Sequence, residues 1–333
     1  MDREMTKASI TDRARPLSAE TAITDVHFLG RTAAFVLAEE SAVLVTADAE
    51  RTVVLHEGGV LCSAGDGRRL ITGGDDGKVM AVEADGEPKR VATDAKRRWI
   101  DRIAAASDGT VAWSAGKQVF VSTARGEERV LDLASSAGGL AFAPKGFRLA
   151  IAHYGGVTLW FPNAAGAKPE FLEWKGSHHA VTFSPDGRFL ITTMQEPMLH
   201  GWRLADGKHM RMSGYAGRVR SLAWTVGGQF LATSGSDQLI LWPFQSKDGP
   251  MGKEPRLLAP YGARVTVVAA HPKQPVVAAG FADGMVLLVR IDDGAELVAR
   301  RPGDAPVTAL AFSADGSLLA CGCEDGAAAI VDL

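Results

Sequence analysis

One turn recurs through this chain of 333 residues and limits what it can fold into more than any other feature. A Gly, most often preceded by Asp, sits between two short apolar runs at Gly30, Gly67, Gly109, Gly146, Gly187, Gly228 and Gly316, and Gln274 holds the same place in the one copy without Gly. In chain order the steps are 37, 42, 37, 41, 41, 46 and 42 residues. Self-similarity at a period of roughly 20–50 residues marks a repeat architecture, in which each unit buries its apolar face against its neighbours.

Within a unit the pattern is four short strands. Residues 181–184, 188–193, 199–202 and 208–212 are rich in β-branched and aromatic side chains and are bounded by Gly, Pro and Asp. No segment sustains an apolar period of 3.6 residues, which excludes a helical solenoid. Four strands per unit define a blade, so the chain reads as all-β, a single β-propeller domain over residues 1–333. First strands begin near 22, 59, 99, 137, 178, 218, 264 and 306. That spacing gives eight blades, at 22–57, 59–94, 99–133, 137–174, 178–213, 218–260, 264–301 and 306–333, with seven as the alternative because the first unit is short and degenerate. The eighth unit stops after its third strand. Residues 11–20 are expected to supply its outer strand and so close the ring, Pro16 being tolerated at an edge. Residues 1–10 are expected to form a flexible tail, and residues 245–255 a mobile loop inserted in unit six.

The units resemble WD repeats over nearly the whole chain. Unit two carries His56 before its first strand, Thr72 in its second and Asp76 in the turn that follows. Unit six carries Thr233 and Asp237 and ends its third strand on Trp242, while Trp160 and Trp202 hold that strand end in units four and five. Asp283 and Asp325 stand in the corresponding turn of units seven and eight. The resemblance implies that these residues are structural, tying the inner strands of a blade together. It also departs from the family pattern: Tyr215 and Tyr261 stand where the family has His, and the Trp-Asp dipeptide is absent.

Charge is nearly balanced, with 36 Lys and Arg against 39 Asp and Glu, which argues against a nucleic-acid partner. No apolar run approaches the roughly 20 residues needed to cross a bilayer. The N-terminal residues do not read as a secretion signal, and three Cys make no disulfide framework. A cytoplasmic protein without membrane association is expected, and the Ala-, Gly- and Arg-rich composition suggests a bacterial source. The chain has no Gly-x-Ser-x-Gly elbow, phosphate-binding Gly loop or His-Glu-x-x-His helix, so no enzyme activity is expected. Cys321 and Cys323 share a strand face, and His178, His179, His200 and His209 gather in unit five. These histidines fall on different strands and are expected to spread from axis to rim, so neither group is expected to bind metal, and no cofactor is expected.

The leading expectation is a non-enzymatic scaffold for protein–protein interaction, acting as a monomer or as a subunit of a complex. A propeller with an axial metal or small-ligand site is the alternative. The resemblance implies a top face built from loops between blades and turns between second and third strands. Lys96, Arg97, Arg98 and Trp99 precede blade three, His178 and His179 open blade five, Arg218 and Arg220 blade six, and Arg264 blade seven. Tyr215 and Tyr261 precede the last two. Exposed Arg, Trp and Tyr dominate interface hot spots, and Arg pairs bidentately with carboxylate or phosphate. An acidic or phosphorylated partner segment is therefore expected there.

Overall fold

The repeated turn works through a carboxylate. In the computed structural model, which describes residues 7–164 and 166–333, Asp66, Asp108, Asp186 and Asp315 each accept the backbone N–H two residues on, at 2.9, 2.9, 2.9 and 3.0 Å. A side chain that satisfies its own turn in this way favours a reversal over continued strand.

Each such turn joins the first and second strands of a repeat, which pair antiparallel. After a 3-10 turn at Thr11–Arg13 comes β1 (Ala14–Ser18). A sheet then forms from β2 (Ile23–Leu29), β3 (Thr32–Leu37), β4 (Ser41–Val45) and β5 (Glu50–Val54). The next two are β6 (Val60–Gly65), β7 (Leu70–Gly74), β8 (Lys78–Val82) and β9 (Pro88–Thr93), then β10 (Ile100–Ala105), β11 (Val111–Ala115), β12 (Gln118–Ser122) and β13 (Glu128–Asp132). Six strands follow in one sheet: β14 (Gly139–Phe142), β15 (Leu149–Trp160), β16 (Glu170–Phe183), β17 (Phe189–Met194), β18 (Leu199–Arg203) and β19 (His209–Met212). Then come β20 (Leu222–Trp224), β21 (Phe230–Thr233), β22 (Leu239–Pro243) and β23 (Arg256–Leu258), and after them β24 (Val265–Ala270), β25 (Val276–Phe281), β26 (Val286–Arg290) and β27 (Glu296–Arg300). Finally β28 (Val307–Phe312), β29 (Leu318–Cys323) and β30 (Ala327–Asp332) take β1 as their outer partner. The architecture is an all-β propeller of four-stranded blades.

Eight separate blades do not form; the sheets number seven, six of four strands and one of six. The cause is β16, which continues without a break from the outer strand of repeat four into the first strand of repeat five and pairs with both β15 and β17. Within β15 the chain doubles back. His153 Nε2 lies 2.8 Å from Thr158 Oγ1, whereas five residues of extended strand would span about 16 Å. The two repeats are thus legible inside the fused sheet although they do not separate.

By its contacts the chain divides into two compact units, one of the residues up to Phe35 together with Tyr215–Leu333, the other Val36–Gly214. The remaining four-stranded sheet, β2 to β5, carries the boundary within β3. In the first unit the N-terminal strand completes the last blade as expected, with Ala14 opposite Val331 and Ser18 opposite Ala327. Pro16 is exposed on that edge. Residues 1–6 of the expected tail lie outside the described residues. Residues 8–10 are no tail: Ile10 N–H donates to Val298 O, and Val298 N–H to Ala8 O, each at 2.9 Å. The segment 245–255 folds into successive turns, with Gly249 and Pro250 buried. Among the described residues no helix is long and apolar enough to cross a membrane.

Burial follows strand position. β7, β11, β17, β21 and β29 are buried at every residue, whereas the outer strands β5, β9 and β13 are mostly exposed. A strand covered on both faces reads as a continuous run of small and apolar residues, not as an alternation. Close approach between successive sheets explains a recurrent Gly in those strands. A Cβ on Gly280 would meet Val307 Cγ1 at 2.7 Å, and one on Gly322 would meet Ile23 Cγ2 at 2.5 Å. In the other unit a Cβ on Gly73 would meet Ile100 Cγ2 at 2.5 Å. The Gly322–Ile23 contact is the one between the last sheet and β2, and it repeats the geometry of the others.

Replacing Gly322 by Ala should overpack this contact and cost about 1–3 kcal/mol. Combining Gly322→Ala with Ile23→Ala should recover at least ~1 kcal/mol relative to the sum of the single changes. Urea unfolding of the four proteins measures the coupling, and strict additivity would show that the contact does not hold the last sheet to β2.

Candidate interaction site

The expected basic loop lies in the unit Val36–Gly214, and a residue not singled out in the sequence shapes it. Asp94 is buried and accepts backbone N–H groups from Lys96 at 3.0 Å and Arg98 at 2.9 Å. It also takes the Arg98 guanidinium, with Nη2 at 2.6 Å from Oδ1. Arg97 is forced into the left-handed region (φ 52°), and Asp94 N–H donates to Gly77 O at 2.8 Å, docking the loop on the β7–β8 turn. Hydrogen bonding from Arg98, followed by the two backbone donors, holds the Asp94 carboxyl below the usual range despite burial. Arg98 is committed inward, its Nη2 also reaching Gln118 Oε1 at 2.9 Å. Lys96 and Arg97 are exposed, and the Trp99 side chain stands 62% exposed beside them.

The histidines of this unit do not spread out. His200 is fully buried, with its ring stacked on Trp174 (centroids 4.1 Å) and beside His209 (5.4 Å), while His178 and Trp202 meet it edge-on at 6.2 and 4.7 Å. His178, expected on a binding face, is buried: Nε2 donates to Trp174 O at 3.0 Å and Nδ1 lies 2.8 Å from Thr192 Oγ1. It is a strand tie and presents nothing to a partner. His179 is half-buried. Both ring nitrogens of His200 are buried without a hydrogen-bond partner among the described residues. Burial, aided by the neighbouring His178 and His209, depresses its pKa to about 3. Trp174 was not legible as a site residue, because in sequence it is one more aromatic in an outer strand. Among the described residues no three His, Cys, Asp or Glu side chains are grouped so as to hold a metal ion.

His56, Thr72 and Asp76 lie together as a buried tie. Asp76 Oδ1 accepts from His56 Nδ1 at 3.0 Å, and His56 Nε2 lies 2.8 Å from Thr72 Oγ1. Burial alone would raise the Asp76 pKa, but the Lys78 N–H, the His56 ring and the Glu57 N–H together lower it. Trp160 and Trp202 are buried at their strand ends.

In the other unit Tyr215, expected to meet a partner, is buried and replaces His as the tie. Trp242 Nε1–H donates to Tyr215 Oη at 2.7 Å, Tyr215 Oη lies 2.9 Å from Thr233 Oγ1, and Thr233 Oγ1 donates to Ile240 O at 3.2 Å. Burial pushes the Tyr215 phenol up to about 12. Tyr261, half-buried, donates to Asp283 Oδ2 at 2.7 Å. Asp237 is exposed and outside the Tyr215 relay, and Asp325 accepts the Ala327 N–H at 3.0 Å. Arg220 and Arg264 are exposed, whereas Arg218 is half-buried, its Nε without a hydrogen-bond partner among the described residues. Arg264 lies over Gly217, whose Cβ would meet Nη1 at 3.1 Å. Cys321 and Cys323 are fully buried, and burial pushes the Cys321 thiol up to about 12, so that it remains a small neutral core group.

Asp94→Asn should destabilise the chain by about 1–2 kcal/mol at pH 7, the difference between charged and neutral hydrogen bonds. A carboxyl depressed on folding stabilises above its unfolded pKa near 4, so the gap to wild type should close as pH falls through the lowered folded value. His200 has linkage of the same sign for a different reason, since here burial disfavours the charged form instead of hydrogen bonds favouring it. Its folded pKa near 3 lies below the unfolded value near 6.5, so the unfolded chain binds the extra proton and stability falls with pH between those limits, by at most roughly 1.4 kcal/mol per pH unit. His200→Phe should be at least as stable as wild type at pH 7 and lose that slope. Denaturant titrations from pH 3 to pH 8 read both effects.

Two family models match parts of the chain: the anaphase-promoting complex subunit 4 WD40 domain over residues 268–333, and the WD domain, G-beta repeat, over residues 208–242. No curated protein matches. Among solved structures, the crystal structure of the computationally designed Ika8 protein superposes with a TM-score of 0.76 at 18% identity, covering 95% of this chain and 98% of that one. At that identity the likeness speaks to fold alone. The repeat, the blade topology and the repeat models matched over residues 208–242 and 268–333 together support a WD-repeat β-propeller.

Proposed function

We propose that this protein is a non-enzymatic scaffold that binds an acidic or phosphorylated segment of another protein. WD-repeat propellers generally serve as protein-interaction scaffolds; the class of partner and the surface are the proposal. The observation that carries it is the 94–99 loop. A Trp exposed to 62% beside two exposed cations, on a backbone pinned by a buried carboxylate, costs little entropy to present. Large rigid aromatics and Arg are the groups that anchor interfaces. Arg220 and Arg264 supply a second exposed basic set in the other unit, and Arg98, His178 and Tyr215 are left out because each is engaged internally.

An array of acidic and phosphoserine-containing peptides, probed with the full chain, tests this reading. Retained peptides should bind at least ten times more weakly to Arg97→Glu/Trp99→Ala, a loss of about 1.4 kcal/mol or more, with the unfolding temperature unchanged. Binding that is indifferent to both substitutions and to Arg264→Glu would refute the proposed surface.

A further inference from the structure

The N-terminal segment carries a second feature, away from the basic loops. Residues 8–10 run beside β27 and the chain then crosses, through Thr11–Arg13, to β1 on the edge of β30. Beneath this crossing is a cavity of about 640 Å³, lined wholly by residues of the unit that contains Tyr215–Leu333. Its apolar surface comes from Ile10, Val276, Leu288, Leu297 and Phe312. Arg13, Lys273, Arg290, Glu296 and Asp315 supply its charge.

Those charges are unequally committed. Glu296 is engaged by Lys7, and Asp315 by Arg31 at 2.5 Å and by the Ser313 and Ser317 hydroxyls. Arg290 forms a two-point pair with Asp293, at 2.8 and 2.5 Å. Arg13 and Lys273 make no side-chain hydrogen bond or ion pair among the described residues. Both side-chain carboxylates facing the cavity are therefore engaged by cations, while two cations at its wall have no such partner among the described residues.

The wall bearing Lys273 is set by a buried imidazole. His271 Nδ1 accepts the N–H groups of Lys273 at 3.0 Å and Gln274 at 2.9 Å, and Nε2 donates to Gly316 O at 3.0 Å. The same ring that shapes the β24–β25 turn thus fixes it against the β28–β29 turn, and a Cβ on Gly316 would meet that ring at 2.4 Å. The cavity is held open between two tied turns.

We propose that this cavity is a docking site for a segment of a partner protein that carries one or two apolar side chains next to carboxylates. The apolar wall takes the side chains, the volume falls within the range of pockets that enclose such groups, and Arg13 and Lys273 meet the carboxylates. Unpaired cations beside an apolar surface select against a purely apolar or a basic segment, since the first leaves them unmatched and the second repels them.

A dodecapeptide display library panned against the full chain tests the site. Recovered peptides are measured by fluorescence anisotropy on wild type, Arg13→Glu/Lys273→Glu and the cavity-filling Ala295→Trp. A recovered class joining Leu, Ile, Val or Phe to Asp or Glu, weakened at least tenfold by each variant and unmoved by Arg97→Glu/Trp99→Ala, supports the proposal. Its binding should also weaken with salt. Failure to recover such a class, or recovery of peptides that bind all variants equally, overturns it, as does binding lost only with the basic-loop changes. Circular dichroism establishes that each variant is folded; if the double charge reversal is not, Lys273→Glu and Ala295→Trp decide by the same criterion.

Discussion

The structure depends on one hydrogen bond that recurs at five of the eight repeat turns, a side-chain acceptor closing the turn between the first two strands of a repeat. At Asp66 the carboxylate oxygen Oδ1 takes the N–H groups of residues 68 and 69, at 2.9 and 2.6 Å. The copy without Gly satisfies the same requirement by other means: His271 Nδ1 takes the N–H groups of residues 273 and 274, two and three positions on as in the Asp66 turn. The requirement is for an acceptor in that place, and either a carboxylate or an imidazole meets it. His271 has a second nitrogen, so it also holds the neighbouring blade, which Asp66 does not do. Other turns reach their neighbours through an Arg, as Arg69 does to Gly109 O and Arg31 to Asp315; the His271 tie borders the cavity.

Between blades the controlling term is space. A strand buried on both faces has no solvent side to carry charge, so it consists of apolar and small residues with an occasional Thr or Ser, and Gly73, Gly280 and Gly322 stand where a β-branched side chain of the next sheet enters. Interiors are packed to crystal-like density, and one methyl in such a place is felt. Polar groups survive in this interior only as closed ties. His56 with Thr72 and Asp76 is one, and Tyr215 with Thr233 and Trp242 another. Ser114 and His200 depart from this: the Ser114 hydroxyl and both nitrogens of the His200 ring, which rests on stacking, lack hydrogen-bond partners among the described residues. A buried polar group left so exerts a cost on folding, and the depressed pKa of His200 expresses the same cost as a proton not taken up.

Surface chemistry follows from these internal ties. Asp94, buried under the 94–99 loop, draws Arg98 inward and leaves Arg97 and Trp99 outside. Two neighbouring arginines of the same formal charge are thereby assigned different roles, one structural and one exposed. Tyr215 was legible as the residue in the family's His position, and its burial is the consequence of filling it, whereas the strand tie made by His178 was not legible.

The repeat period and the four strands per unit could be read from residues alone, because both rest on local turn chemistry and on spacing along the chain, whereas the N-terminal strand beside β30 and the His56–Thr72–Asp76 tie were implied by the WD-repeat resemblance. Three features could not. The merging of repeats four and five depends on whether β16 bends or breaks, which is decided by its partners on both sides. Exposure in the basic loops depends on where Asp94 points. The cavity joins Arg13 to Lys273 and Phe312, residues brought together only when β1 pairs with β30. Local sequence sets which strand forms and how it turns; packing across sheets decides which polar side chains are consumed inside and which remain for a partner.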